Sequence, residues 1–324
     1  MIVVLTGGTG GAKFVEGLAQ IIPPEEMTVI VNTGDDLIWW GLAVSPDIDS
    51  ITYALSGLLS KERGWGVEGD TFQCQGAMGR LGSPIWFSIG DRDLATHLTR
   101  SQLMASGATL SEATAEISRR LGIRVRILPM SDDRVETRVH TPNGELGFEE
   151  YFVQRWYQDP VDAISFRGLE HAQPAPGVIE AISRAEAIVI APSNPVTSIG
   201  PILMVRGIRE ALVQTSAPVA AISPIVGGKA VSGPAGILMQ AVGLPASIAG
   251  VAQAYSDLLD FLVVDETDAK AAQELRSSGV LVRCVPTMMK SLQQKMALAQ
   301  ATVAMLREFS PGANSPGANK EGPA

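Results

Sequence analysis

Thr6-Gly7-Gly8-Thr9-Gly10-Gly11-Ala12-Lys13 follows an apolar run and opens a helical pattern. In that setting bare backbone can approach a diphosphate while helix N–H groups face its charge. Gly8, Thr9, Gly10, Gly11 and Lys13 are therefore candidate phosphate contacts. The loop is not of the Walker type, because no Gly-Lys-Ser/Thr follows at the required spacing, and the third glycine of the dinucleotide fingerprint is missing. Hydride transfer of the short-chain dehydrogenase kind needs a Tyr-x-x-x-Lys pair. None of Tyr53, Tyr151, Tyr157 and Tyr255 has Lys four residues on.

Between Lys13 and Lys61 there is no Lys or Arg, while Glu16, Glu25, Glu26, Asp35, Asp36, Asp47 and Asp49 all fall there. An acidic segment that faces a phosphate requires an intervening cation, and oxygen donors of this kind select Mg²⁺. The three glutamates read as solvated. Asp35 and Asp36 in Asn-Thr-Gly-Asp-Asp, with Asp47 and Asp49 in Ser-Pro-Asp-Ile-Asp-Ser, are separated as site candidates, the competing reading being caps and turns. Gly90-Asp91-Arg92-Asp93-Leu94-Ala95-Thr96-His97 packs two carboxylates, a guanidinium and an imidazole into a helix start; its bland counterpart is an Asp93 N-cap with an ion pair. His140 and His171 lack a third partner, so no histidine metal site is expected.

Two loops that should lie at the C-terminal edge of a sheet complete the inventory. Ala191 to Pro201 carries Ser193, Asn194, Thr197 and Ser198; Ser223 to Pro234 carries Lys229, the only charged residue from Ala211 to Ser256. A glycine-flanked cation in so neutral a stretch is expected to meet an anionic ligand.

Positioning these loops requires strands. Val- and Ile-rich runs at 2–6, 27–32, 124–128, 187–191, 218–222, 260–265 and 280–285 alternate with helical patterns at 12–21, 48–60, 93–106, 111–121, 175–184, 200–213, 267–278 and 288–308. The rhythm predicts an α/β, Rossmann-like fold with a mostly parallel sheet. Ser111 to Thr114 is read as a helix cap, and a β-hairpin is expected over 135–153, turning at Pro142-Asn143-Gly144. The expected organisation is one α/β domain over 1–309 with a helical insertion at about 50–121, then a disordered tail at 310–324 where Ser-Pro-Gly-Ala-Asn occurs twice.

A net charge of −9 over 324 residues argues against nucleic acid as partner. The uncharged run from Ala230 to Ser256 is interrupted by Pro234, Pro245 and several polar residues and reads as buried protein, so no membrane span is expected. Cys74 and Cys284 read as buried thiols of a reducing compartment, and with no basic leader ahead of the first strand the expected location is the cytoplasm.

Taken together, Gly-Gly-Thr-Gly-Gly-Ala-Lys, Asn-Thr-Gly-Asp-Asp, Ser-Pro-Asp-Ile-Asp, Gly-Asp-Arg-Asp-Leu-Ala-Thr-His, Pro-Met-Ser-Asp-Asp at 129–133, Ala-Pro-Ser-Asn-Pro-Val-Thr-Ser-Ile-Gly and Ser-Pro-Ile-Val-Gly-Gly-Lys resemble the 2-phospho-L-lactate transferase family (CofD/FbiA). The order holds from residue 1 to about 307. The resemblance implies an enzyme of coenzyme F420 biosynthesis that moves a 2-phospholactyl or phosphoenolpyruvyl group from a guanosine diphosphate donor to the ribityl hydroxyl of the deazaflavin Fo, releasing GMP with Mg²⁺ present. It also implies a homodimer. Its deazaflavin contacts fall on Asp49 and Ser88, the latter a Lys in some members. Its donor contacts fall on the Gly7–Lys13 and Ser193–Gly200 loops, and its metal candidates are Asp35, Asp36 and Asp49.

Phosphoryl transfer to an alcohol needs an in-line hydroxyl, charge neutralisation and a diphosphate cradle, with no covalent intermediate. Asp49, Asp36 and Arg92 are the expected catalytic residues, Asp49 as metal ligand or proton acceptor. Trp39, Trp40, Trp65 and Trp86 include candidates for stacking on the deazaflavin. The alternative function is a nucleotide-sugar-binding regulatory protein of the same superfamily.

Overall fold

The first strand, β1 (Ile2–Thr6), is apolar along nearly its whole length because it is paired on both edges and covered on both faces. On one edge β2 (Met27–Val31) runs parallel, with Ile2 opposite Met27, and β3 (Arg126–Pro129) pairs with β2 beyond it. On the other edge lies β4 (Ala187–Ile190), with Ile2 opposite Ala187, followed outward by β5 (Val219–Ile222), β6 (Phe261–Val264) and β7 (Leu281–Cys284). The seven-stranded order is β3-β2-β1-β4-β5-β6-β7, all parallel. This computed structural model describes residues 1–308.

Alternate strand residues feed opposite layers. Val3, Leu5, Ile30, Ile188 and Ile190 enter one core; Val4, Val29, Val31 and Val189 enter the other. The second core is closed by α1 (Gly8–Leu18), α2 (Pro46–Ser56) and the last described helix, which supply Phe14, Leu18, Ile48, Ile51, Leu298 and Leu306. That last helix, Leu292–Glu308, crosses α1 so closely that a Cβ on Gly17 would stand 2.4 Å from the Lys295 backbone. A Lys295–Glu16 ion pair of 2.5 Å fastens the same crossing.

Between β2 and β3 the chain makes an antiparallel ribbon, Leu37–Trp39 with Leu42–Val44, then α2, α3 (Gln73–Arg80), α4 (Asp93–Ala105) and α5 (Leu110–Arg120). The seven apolar runs all became sheet strands, and the hairpin formed as Glu136–Thr141 against Gly144–Gly147. Three expectations need correction. The cap of α5 is Thr109, which exchanges bonds with Glu112 in a capping box, rather than Ser111 to Thr114. Residues 200–213 are not one helix: Gly200–Met204 and Ile208–Gln214 are separated at Gly207, whose φ is +89°. The hairpin carries a third strand, Ala163–Arg167, whose short alternation gave no separate signal. The Ser-Pro-Gly-Ala-Asn repeats from 310 onward lie outside the described residues. Among the described residues no helix is long and apolar enough to cross a membrane, and 230–256 holds the short helices Ala235–Ala241 and Ile248–Ala254 instead.

Candidate functional site

Strand order reverses between β1 and β4, so the connections leaving their C-terminal ends run to opposite sides and open a crevice. Gly8 enters α1 at φ +67°, where a side chain is strained. Gly10 has no room for one, because its Cβ would stand 2.4 Å from the Pro192 carbonyl oxygen. The Ser193 hydroxyl donates to the Gly7 carbonyl at 2.6 Å and accepts from Gly7 N–H at 3.3 Å, locking the glycine loop to the loop after β4. Asn194 then starts the next helical turn by accepting from Val196 N–H at 3.0 Å.

A cavity of about 890 Å³ opens over this junction. Its floor is Gly7, Gly8, Thr9, Gly10 and Lys13 with Ser193, Asn194, Thr197 and Ser198. The insertion supplies one wall through Arg63, Trp65, Trp86, Phe87 and Ser88. Further lining comes from Phe148, Glu149, Phe152 and Tyr157, from Val231 to Ala235 and from Thr287 to Lys290. Phe148, Phe152 and Tyr157 form a run of stacked rings, with centroids 5.7 and 5.8 Å apart. Thr287 is pinned by Asp265, which accepts from its N–H at 2.8 Å and its hydroxyl at 2.9 Å.

Three carboxylates line this cavity: Asp35, Asp47 and Glu149. The Asn32 amide bridges the first two, donating to Asp35 at 3.0 Å and to Asp47 at 2.9 Å, and Asp47 also accepts from Gly8 N–H at 2.5 Å. Burial pushes Asp47 up to about 6 and Asp35 well above the carboxylate range, the Asp47 and Glu149 charges adding to the latter. Burial, then the charges of Asp47 and Asp36, pushes Glu149 up to about 8. Asp35 Oδ1 is buried without a hydrogen-bond partner.

This oxygen-rich, like-charged set fits a divalent cation in its donor chemistry. Among the described residues, however, no three His, Cys, Asp or Glu side chains converge closely enough to hold a metal ion unaided. The expected trio Asp35, Asp36 and Asp49 is thus not assembled. Asp36 accepts from the Ser45 hydroxyl at 2.7 Å and lines a separate cavity of about 210 Å³ with Asp132 and Asp133. Burial holds Asp36 well above its usual range.

Asp49 lies deeper still and lines neither cavity. Both of its oxygens bind Arg100, one at 3.1 Å from Nη1 and the other in a short contact with Nη2, and His97 Nδ1 stands 3.5 Å away. His97 Nε2 approaches Asp93 at 3.2 Å, and the Tyr53 hydroxyl donates to Asp93 at 2.5 Å. The dense segment at 90–97 therefore builds a buried lock between α2 and α4. Asp93 is not its N-cap: Asp70 accepts from the backbone N–H of Arg92 at 2.7 Å and of Asp93 at 3.0 Å, while Asp91 caps α3 through Cys74 N–H at 2.9 Å.

Two other expected site residues stand outside the cavity. Arg92 is exposed just ahead of α4, its guanidinium donating to the Glu68 carbonyl at 2.9 Å. Lys229 is exposed on a small ribbon, Ile225–Val226 with Lys229–Ala230, which Gly227 and Gly228 turn outward at φ +59° and +74°. Ser88 does line the cavity, its hydroxyl 3.3 Å from Gln75 Nε2. Of the four tryptophans expected as candidates, Trp65 and Trp86 line it, Trp39 is core packed edge-on to Trp86, and Trp40 donates to the Pro84 carbonyl at 2.8 Å; Trp156, not among them, lines it as well.

Sequence reasoning missed Arg63, Glu149, Phe152, Tyr157 and Lys290 and gave Asp47 no role. The one usable signal was Glu149 within an aromatic run from Phe148 to Tyr157; Arg63 and Lys290 stand among other charges with nothing to separate them.

Residues 2–299 match the protein family described as 2-phospho-L-lactate transferase CofD. A phosphoenolpyruvate transferase of Streptomyces griseus is 46% identical over 313 residues, covering 95% of this chain and 98% of that one. A 2-phospho-L-lactate transferase of Methanosarcina mazei is 41% identical over 302 residues, covering 93% and 99%. A UPF0052-family crystal structure from Bacillus halodurans superposes with a TM-score of 0.61 at 20% identity, covering 93% of this chain and 98% of that one, a likeness of fold.

Proposed function

The chain belongs to the 2-phospho-L-lactate transferase CofD family, and from that premise we propose that it moves a 2-phospholactyl or phosphoenolpyruvyl group from a guanosine diphosphate donor to the ribityl hydroxyl of the deazaflavin Fo. The hydroxyl oxygen forms a new bond to the phosphorus that bears the organic acid, the bridge to the second phosphorus breaks, and GMP leaves. Curated relatives spanning nearly the whole chain are transferases by name, which favours transfer over the regulatory alternative.

The observation that carries this reading is one cavity lined together by a glycine cradle, aromatic side chains and three carboxylates. The Gly7–Gly10 backbone and Lys13 receive the diphosphate, and Ser193, Asn194, Thr197 and Ser198 border it. Trp65 and Trp86 give the tricyclic ring a surface, with Ser88 beside them. Glu149 takes the proton of the attacking hydroxyl in its ionised form, whose basicity burial raises, with a pKa pushed up to about 8. Asp35 and Asp47 would hold Mg²⁺, completed by diphosphate oxygens, and the ion would neutralise charge on the departing phosphate. A homodimer in the cytoplasm belongs to the same reading.

The test is turnover of the purified protein with Fo, Mg²⁺ and, in turn, guanosine diphosphate donors carrying lactate, enolpyruvate or glycerate. GMP and a phosphodiester of Fo are expected from at least one donor. No product from any of the three would overturn the proposal.

A further inference from the structure

Arg63 is the cation that the insertion contributes to the cavity wall, beside Trp65, Trp86, Phe87 and Ser88. Its backbone is fixed in a tight loop: Ser60 N–H donates to the Gly66 carbonyl at 3.0 Å and Gly64 N–H to the Ser60 carbonyl at 2.9 Å. Its guanidinium sits over a T-shaped ring pair, 5.4 Å from the centroid of Trp65 and 5.3 Å from that of Phe72. Nη2 donates to the Val67 carbonyl at 2.7 Å, and Nε is buried with no partner. Among the described residues no carboxylate pairs with it. A guanidinium held against aromatic rings, partly dehydrated and lacking an anion, is prepared for a planar anionic partner.

We propose that Arg63 binds the carboxylate of the group being transferred. The inference rests on the transferase reading above. The lactyl, enolpyruvyl and glyceryl donors differ in a methyl, a double bond or a hydroxyl, yet each carries a carboxylate beside the phosphate ester. That carboxylate is what separates them from GDP. The diphosphate occupies the glycine cradle beside Asp35 and Asp47, which leaves the carboxylate to the wall. Arg63 supplies an unpaired planar cation there. Selection among the three donors then falls to the neighbours of this pair, while selection for an organic acid at all falls to Arg63.

The experiment uses the full chain with Arg63→Met and Arg63→Lys. Three quantities are measured: KM for the enolpyruvyl donor, GDP affinity by calorimetry and Fo affinity by the fluorescence of Fo. Arg63→Met is expected to raise donor KM by about 10- to 100-fold, the scale of a charge-assisted bidentate contact, with GDP and Fo affinities changed less than about twofold. Arg63→Lys keeps the stem and charge but loses the fork, and is expected to fall between wild type and Met. If Arg63→Met melts early, the Lys variant carries the same comparison. Unchanged donor KM, an equal loss for GDP, or a loss confined to Fo would overturn the inference while leaving the transferase reading intact. Failure of the wild-type protein to use any carboxylate-bearing donor would overturn both.

Discussion

Asp49 and Arg100 neutralise each other inside the protein, at 4% and 1% exposure, and this pairing changes what substitution at Asp49 means. As a helix cap, Asp49 could become Asn with almost no penalty. As half of a buried pair, its replacement strands a guanidinium, which costs about 3 kcal/mol or more. Asp49→Asn is therefore expected to lower the thermal midpoint clearly, and Asp49→Leu combined with Arg100→Met to recover most of the loss; a melt of the single variant matching wild type would count against the lock. Glu149 gives a second expectation. Its carboxyl titrates near 4.3 in the unfolded chain and near 8 when folded, so the native state keeps a proton that the unfolded state has lost. The contribution of Glu149 to stability in chelator should be greatest below about pH 4.5 and decline as pH rises toward 8. Glu149→Gln should flatten the upper part of that decline, and an unaltered slope would refute the assignment. Asp35 and Asp47 were legible as candidates because they stand in a stretch without cations. Arg100 was not, since its partner lies 51 residues away and only the meeting of α2 with α4 joins them.

The glycine loop works as an element because three pieces of chain leave it no spare space. Gly10→Ala would drive a methyl into the Pro192 carbonyl, so α1 must shift away from the loop after β4. The expected cost is about 1–3 kcal/mol, with donor affinity falling more than Fo affinity; calorimetry with GDP beside Fo fluorescence checks the order, and equal losses would contradict it. Thr109→Ala tests a different element. Loss of the capping box should cost about 1 kcal/mol and leave kcat unchanged, because α5 does not line the main cavity. The five inner sheet strands were readable since burial on both faces writes an unbroken apolar run. The ribbon at 37–44 and the strand at 163–167 were not, being short and partly exposed. The Thr109 cap was readable in principle: Thr-Leu-Ser-Glu fits the capping-box spacing.

Across the whole molecule, a tightly packed sheet carries a more loosely seated wall. Helix α3 has no fully buried residue, yet Gln75 from it holds Ile89 N–H at 3.1 Å, next to the Ser88 that lines the cavity. Hydrogen exchange should therefore be slowest in β1 and β4, while 73–80 opens locally and slows when Fo is added; exchange in 73–80 as slow as in β1, or indifferent to Fo, would refute this. Such a gradient could not be read from the sequence, where 73–80 gave no separate helical pattern and only packing shows how loosely it is seated. The crossing of α1 by the Leu292–Glu308 helix, closest at Gly17 and Lys295, has a consequence for synthesis. A ribosome releases the glycine loop well before this helix, with β4 and its Ser193 latch in between. Until the helix emerges, the growing polypeptide displays a glycine cradle with its supporting flank bare.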